Sequence, residues 1–108
     1  MDEQDFAMHC EKAMDALYQK LLTASEEHDF EVDQGAGTIT LEFEEPRAKF
    51  VVSPNSPVRQ IWVSALTTSF KLDWVEERGA FVLAATGRTL RELMGDVISQ
   101  QLGETIEL

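Results

Sequence analysis

Acidic side chains are the residues of this sequence best suited to chemistry, and they are concentrated near the N-terminus. Residues 1–33 hold ten Asp and Glu residues against two bases, Lys12 and Lys20. Carboxylate oxygens suit hard or borderline divalent cations, and a scattered row of them predicts weak binding with exchangeable waters. The other interpretation is a solvated face that maintains solubility. The candidate ligands are Glu11, Asp15, Glu26, Glu27, Asp29, Glu31 and Asp33.

The motifs of the common enzyme classes are missing from the sequence. It contains no Gly-x-Ser-x-Gly, no phosphate-binding glycine loop, no Cys-x-x-Cys and no histidine pair at ligand spacing. Hydrolase, nucleotide-binding and zinc-site interpretations therefore have no residues to support them. Cys10 lies within an apolar stripe and is predicted to be a small buried hydrophobe. His9 lies off that stripe and is expected to be solvated.

The segment Val58–Ser64 is predicted to be a central strand whose two faces differ in chemistry. Alternation puts Ile61 and Val63 on one face and Trp62, in line with the polar Gln60, on the other. An exposed aromatic among hydrogen-bonding side chains is typical of a docking surface. The alternative is that a helix covers both faces and Trp62 is part of the core.

Helices are predicted at both ends of the chain. Apolar residues recur at three- and four-residue spacing from Phe6 to Leu21, which indicates an amphipathic helix, and the run Ser25–Asp29 breaks this pattern. Near the other end, Thr89-Leu90-Arg91-Glu92 has the form of a capping box. The apolar stripe that follows continues to Gly103, which suits a C-terminal cap.

Between the helices the sequence alternates with the period of β-strands. We expect about six short strands and a proline-bounded loop at Ser53–Pro57. Two terminal helices on a half-polar antiparallel sheet predict an α+β fold, a two-layer α-β sandwich with both helices on one face and water on the other. The predicted strands are Phe30–Asp33, Thr38–Phe43, Ala48–Val52, Val58–Ser64, Phe70–Trp74 and Ala80–Ala84.

Length and charge limit the class of protein further. The 108 residues fit a single domain, 1–108, without internal repeats or linkers. A formal net charge of -11 argues against nucleic acid or anionic lipid as a partner and favours cationic partners.

No apolar run reaches the roughly 18 residues of a membrane span, and the N-terminus is acidic where leaders are basic. A single cysteine cannot form an intramolecular disulfide, so the chain does not require an oxidising compartment and a cytoplasmic location is expected.

Several motifs together resemble the frataxin family, in its short bacterial CyaY type. The most specific are the Pro-x-x-Gln-Ile-Trp segment at 57–62 and the Gln-Gln-x-Gly-Glu ending at 100–104. They are joined by Asn55-Ser56, Asp73-Trp74 and Thr86-Gly87, so that the resemblance covers nearly the whole chain.

The resemblance implies a frataxin-like α-β sandwich that binds iron, as Fe²⁺ or Fe³⁺, weakly along an acidic ridge. It also implies docking on the cysteine desulfurase and the scaffold protein of iron–sulfur cluster assembly. The ridge maps to Glu11, Asp15, Glu26, Glu27, Asp29 and Glu31, and the scaffold-binding face to Asn55, Gln60 and Trp62. This chain departs from relatives with more acids at the end of the first helix, where it has Tyr18, Gln19, Lys20, Leu22 and Thr23.

The leading hypothesis is a non-enzymatic, monomeric, iron-binding regulator or iron donor for iron–sulfur cluster assembly. One alternative is a ferroxidase that stores iron in iron-dependent oligomers, which predicts Fe²⁺ oxidation faster than with an acidic control protein. The other is an acidic interaction module without a metal role, which predicts partner binding undiminished by a chelator.

Overall fold

The computed structural model describes all 108 residues and has two helices packed on a seven-stranded antiparallel sheet. Strand order in the sheet follows the chain, so each strand pairs with the next. The predicted α+β sandwich is therefore confirmed. The elements are α1 (Glu3–Glu27), β1 (Glu31–Gly35), β2 (Thr38–Glu44), β3 (Arg47–Asn55), β4 (Gln60–Ala65), β5 (Thr68–Val75), β6 (Ala80–Leu83), β7 (Arg88–Thr89) and α2 (Leu90–Leu102).

The core lies between the helices and one face of the sheet, and it contains no buried polar or charged side chain. The alternating residues of β2, β3 and β4 supply the sheet side, and one stripe of each helix supplies the other. On α1 the buried stripe is Phe6, Cys10, Met14, Leu17, Leu21 and Ala24. Neither helix combines the length and apolarity that a membrane span requires.

Helix α1 is longer than the predicted Phe6–Leu21. It begins after Asp2, whose carboxylate accepts a hydrogen bond from the Asp5 N–H at 2.8 Å, and it continues to Glu27. The apolar stripe in fact extends by one more step to Ala24, a residue too small to stand out among polar neighbours. The prediction that Ser25–Asp29 interrupts the helix was wrong for its first three residues.

The boundary between β3 and β4 also differs from the prediction. Strand β3 continues through the predicted loop to Asn55, and Pro54 pairs with Ile61. Proline is tolerated there because the pairing of β3 with β2 ends at Val52, which leaves this end of β3 at a sheet edge. Val58 lies in a short 3-10 turn and Arg59 has a left-handed φ of 55°, so the strand begins at Gln60, not Val58.

The sheet has seven strands where about six were expected. The additional strand, β7, is two residues long. Its Arg88 pairs with Leu83 of β6, and its Thr89 pairs with Val82 of β6. Two residues are too few to produce an alternating pattern. Strand β4 lies fourth of seven, so the predicted central strand is confirmed.

Candidate functional site

The acidic ridge, defined as Glu11, Asp15, Glu26, Glu27, Asp29 and Glu31, runs along α1 and into β1. All six side chains are exposed. Glu11 and Asp15 are one helical turn apart and line a cleft of about 270 Å³ between α1 and the β1–β2 turn. Because the helix rises 1.5 Å per residue, Glu26 lies roughly 16 Å further along the axis than Asp15. The ridge is therefore two groups of carboxylates rather than one.

The side chains between these two groups are not acidic. Tyr18 and Leu22 continue the helical stripe from Asp15 to Glu26 at spacings of three and four residues, and both are half-buried. Tyr18 packs against the core. The departure noted in the sequence thus interrupts the ridge in the structure.

The second group lies beside a groove of about 570 Å³ between the end of α1 and strands β1–β3. Asp29 and Glu31 line it, and the β1–β2 register sets Glu31 directly opposite Glu42. Glu44 lies in the same groove, as do two bases, Arg47 and Lys49. The two carboxylates of β2 border the ridge, and each lies opposite a base of β3, Glu42 opposite Lys49 and Glu44 opposite Arg47.

No carboxylate of the acidic ridge is neutralised by the protein. The ion pairs of the fold involve Glu92, Asp96 and Glu104, and none includes a ridge residue. Ridge residues also accept no side-chain hydrogen bond. No group of three or more His, Cys, Asp or Glu side chains is close enough to hold a metal ion. The ridge is thus an open array of free carboxylates and not a built metal centre.

The open face of the sheet carries Trp62, with 36% of the residue exposed. Its indole N–H donates to the side-chain oxygen Oε1 of Gln60 at 2.9 Å, and the side-chain amide nitrogen of Gln60 donates to the Asp73 carboxylate at 3.0 Å. The Lys71 ammonium lies over the Trp62 ring, 4.9 Å from its centroid. The ring is held in one orientation with its polar atom satisfied, so its apolar surface is available to a partner.

The three residues predicted to bind a partner lie together on this face. Asn55 pairs with Gln60 across β3 and β4, and its side chain makes no capping hydrogen bond to the turn that follows. Sequence reasoning missed Lys71 and Asp73, which face Trp62 and Gln60 from β5. Alternation along β5 puts these two on the polar side, but only the register shows which residues they oppose.

Two other predictions concern residues on α1. Burial raises the pKa of the Cys10 thiol to about 11, which keeps it protonated and unreactive at neutral pH, as expected for a buried hydrophobe. His9 was predicted to be solvated, but it is half-buried. Its ring stacks on Trp74 with 3.8 Å between centroids, because β5 brings that indole beneath the first turns of α1.

Comparison with known proteins assigns the family. Residues 1–104 match the family model described as a frataxin-like domain. The chain belongs to the frataxin family, and within it to the bacterial CyaY type. A relative from Azotobacter vinelandii, named iron-sulfur cluster assembly protein CyaY, is 32% identical over 96 residues, which cover 87% of this chain and 86% of the relative. A protein of the same name from Thioalkalivibrio sulfidiphilus is 26% identical over 108 residues and the full length of both chains.

The fold of this frataxin matches a solved structure of the same type. The frataxin from Psychromonas ingrahamii aligns with a TM-score of 0.77 and 27% identity, over 99% of this chain and 97% of that one. The resemblance stated from the sequence motifs is therefore confirmed, and so is the frataxin-like fold that it implied.

Proposed function

We propose that this frataxin acts in iron–sulfur cluster assembly as a non-enzymatic protein that docks on the cysteine desulfurase and the scaffold and carries weakly bound iron. Its relatives are named for iron–sulfur cluster assembly. The observation that carries the proposal is that all six ridge carboxylates are exposed and unpaired. Free carboxylates in a row attract cations, whether a basic protein surface or a metal ion.

Iron in this proposal is cargo and not a resident cofactor. Since no three ligating side chains come together, one or two carboxylates at a time would bind it, and water would complete its coordination. Such open sites release metal readily, which suits transfer to an assembly machinery. The expected dissociation constant is on the order of 10⁻⁶ to 10⁻⁴ M.

The Trp62 face is proposed as the contact with the scaffold protein. Tryptophan is among the residues that contribute most to interface energetics, and here its orientation is fixed before binding by Gln60 and Lys71. Pre-orientation lowers the entropy that docking costs. The acidic ridge lies on α1 and on the edge strand β1, three strands away from Trp62 on β4, so that one molecule can contact two partners.

The proposal is tested by reversing charge on the second group of the ridge. The triple variant Glu27→Lys, Asp29→Lys and Glu31→Lys should lose about tenfold or more of its affinity for the desulfurase, measured by calorimetry or biolayer interferometry. The matched control reverses Glu3, Glu77 and Glu107, three exposed acids without side-chain hydrogen bonds or ion pairs.

Both triple variants change three acids to lysine, and each change adds two charges to the formal net charge of -11. Global charge is thus identical in the two proteins, and only its location differs. Equal loss of desulfurase binding in both variants would reject the ridge as the docking surface. Full desulfurase binding by the ridge variant would also reject the ridge as the docking surface.

A further inference from the structure

A second groove of about 420 Å³ lies on the flank of α1 away from the acidic ridge, between α1, the β5–β6 hairpin and the start of α2. We call it the helix groove. It owes its depth to small residues on opposite walls, Ala13 and Ala16 from α1 and Gly79 and Ala80 from the hairpin. A groove of this size between packed elements is within the range of small-molecule sites, roughly 300–1,000 Å³.

The charges that line the helix groove are all positive. Lys12, Lys20 and Arg91 lie along it, and no Asp or Glu does. This is unexpected in a chain with 20 acids and 9 bases. All three bases are exposed, and none takes part in an ion pair. The groove therefore presents uncompensated positive charge on a strongly acidic protein.

The floor of the helix groove is apolar and aromatic. Leu17, Trp74 and Phe81 form it, with Trp74 edge-on to Phe81 at 5.2 Å between centroids and stacked beneath His9. The Trp74 indole N–H already donates to Glu76, which is not among the lining residues. The ring therefore offers only apolar surface to a ligand, in a position fixed before binding.

We propose that the helix groove binds a small amphipathic anion, that is, an aromatic or aliphatic body carrying one carboxylate, sulfonate or phosphate group. The apolar body would lie on Leu17, Trp74 and Phe81, and the acid group would contact the bases at the rim. Arg and Lys donors to such oxygens form charge-assisted hydrogen bonds, which are stronger than neutral ones. Charge complementarity and the dimensions of the groove favour this ligand over a neutral molecule.

The test uses 1-anilinonaphthalene-8-sulfonate and its uncharged analogue N-phenyl-1-naphthylamine as paired probes. Fluorescence titration should give about tenfold tighter binding of the sulfonate. Amide shifts should concentrate in residues 9–20, 74–81 and 89–91. Equal affinity for the two probes, or shifts centred on Trp62, would overturn the proposal.

Two variants test the assignment to this groove. Replacing Lys12, Lys20 and Arg91 with Ala should weaken sulfonate binding about tenfold, whereas the matched removal of Arg47, Lys49 and Lys71 should leave it nearly unchanged. Equal weakening by both sets would reduce the effect to global charge and reject the site.

Ala16→Leu fills the groove without altering any charge, and Ala16 is exposed on a helix, where leucine is well tolerated. Unaltered binding by this variant, with its fold verified by circular dichroism, would also reject the site. Binding of an acidic amphipathic peptide without binding of the sulfonate would instead assign the groove to a protein partner.

Discussion

The two tryptophans lie on neighbouring strands and face opposite sides of the sheet. Trp62 projects from β4 to the open face, whereas Trp74 projects from β5 towards α1, where it packs on Phe81 and His9. Each indole N–H has an acceptor two residues away, Gln60 for Trp62 and Glu76 for Trp74. What each ring has left to contribute is apolar surface, which Trp62 presents on the open face of the sheet and Trp74 presents on the floor of the helix groove.

This difference predicts unequal effects of truncation. Trp62→Ala should reduce the free energy of unfolding by about 1 kcal/mol, because Trp62 lies outside the hydrophobic core, while costing about 2 kcal/mol of scaffold binding. Trp74→Ala should cost about 3 kcal/mol of folding stability through the cavity it leaves in the packing around Phe81. Chemical denaturation and a scaffold-binding titration measure the two quantities.

A larger loss of stability from Trp62→Ala than from Trp74→Ala would contradict the assignment of faces. Full scaffold binding by a folded Trp62→Ala variant would remove the main support for the open face as an interface. Lys71→Met provides a finer control, since it removes the charge above the Trp62 ring and retains most of the side-chain length.

At the scale of elements, the faces of the strands followed from the sequence more closely than their ends did. Successive side chains of a strand point to opposite faces, and this pattern can be seen within the sequence of that strand alone. Ile61, Val63 and Trp62 were therefore assigned to the correct faces. The ends depend on turns, and the β4–β5 hairpin turns at Leu66 and Thr67, both with positive φ. Two-residue hairpin turns usually contain Asn or Gly at such positions, so the local sequence predicted a polar loop at Thr67–Ser69 instead of this tight turn, and β5 begins two residues earlier than expected.

The candidate site was predictable as a set of residues but not as an arrangement. Each ridge acid could be named from the sequence, yet the approach of Glu42 to Glu31 depends on the β1–β2 register. The helix groove is even harder to predict from the sequence, because the residues that line it come from α1, the β5–β6 hairpin and α2, which lie far apart in the chain. Conversely, the specific Gln-Gln-x-Gly-Glu ending serves the fold: Gln101 donates to the Pro46 carbonyl and Gly103 caps α2.

The two groups of the acidic ridge should respond separately to metal. Titration with Mn²⁺ should broaden amide signals of residues 11–15 and 26–33 first and leave those around Tyr18 and Leu22 less affected, because no carboxylate lies between the groups on that stripe. Two-dimensional ¹⁵N spectra at rising metal concentration measure this. Uniform broadening along α1, or first effects at Trp62 or α2, would contradict the ridge assignment.

The capping box of α2 predicts a pH dependence of stability. The hydrogen bond from the Thr89 backbone N–H, followed by the nearby charges of Arg88 and Arg78, lowers the pKa of Glu92 from 4.5. A carboxyl whose pKa is lower in the folded state contributes stability above its unfolded pKa and loses it as pH falls through the folded value. The stability difference between the wild type and Glu92→Gln should therefore be constant above pH 4.5 and shrink below it.

Denaturant unfolding of both proteins between neutral and acidic pH measures this difference. A gap that stays constant with falling pH, or one that widens, would contradict the role of the Glu92 charge at the start of α2.

For the whole molecule, α1 separates two regions of opposite charge. Glu11 and Asp15 line one flank beside the β1–β2 turn, whereas Lys12 and Lys20 line the other beside α2. The net charge of -11 is therefore not spread evenly over the surface, and the uneven distribution gives the protein an electric dipole. A basic partner approaching in solution should be oriented towards the ridge before any contact forms.

Orientation of this kind makes the association rate depend on salt, because the screening length falls from about 10 Å at 0.1 M to about 3 Å at 1 M ionic strength. The association rate constant with the desulfurase, measured by stopped-flow fluorescence, should fall steeply over this range for the wild type. The ridge variant with Glu27, Asp29 and Glu31 changed to Lys should show a much weaker salt dependence, and the Glu3, Glu77 and Glu107 control should stay close to the wild type. Since both variants carry the same net charge, identical slopes would mean that total charge alone steers the encounter and that the position of the acidic ridge has no part in it.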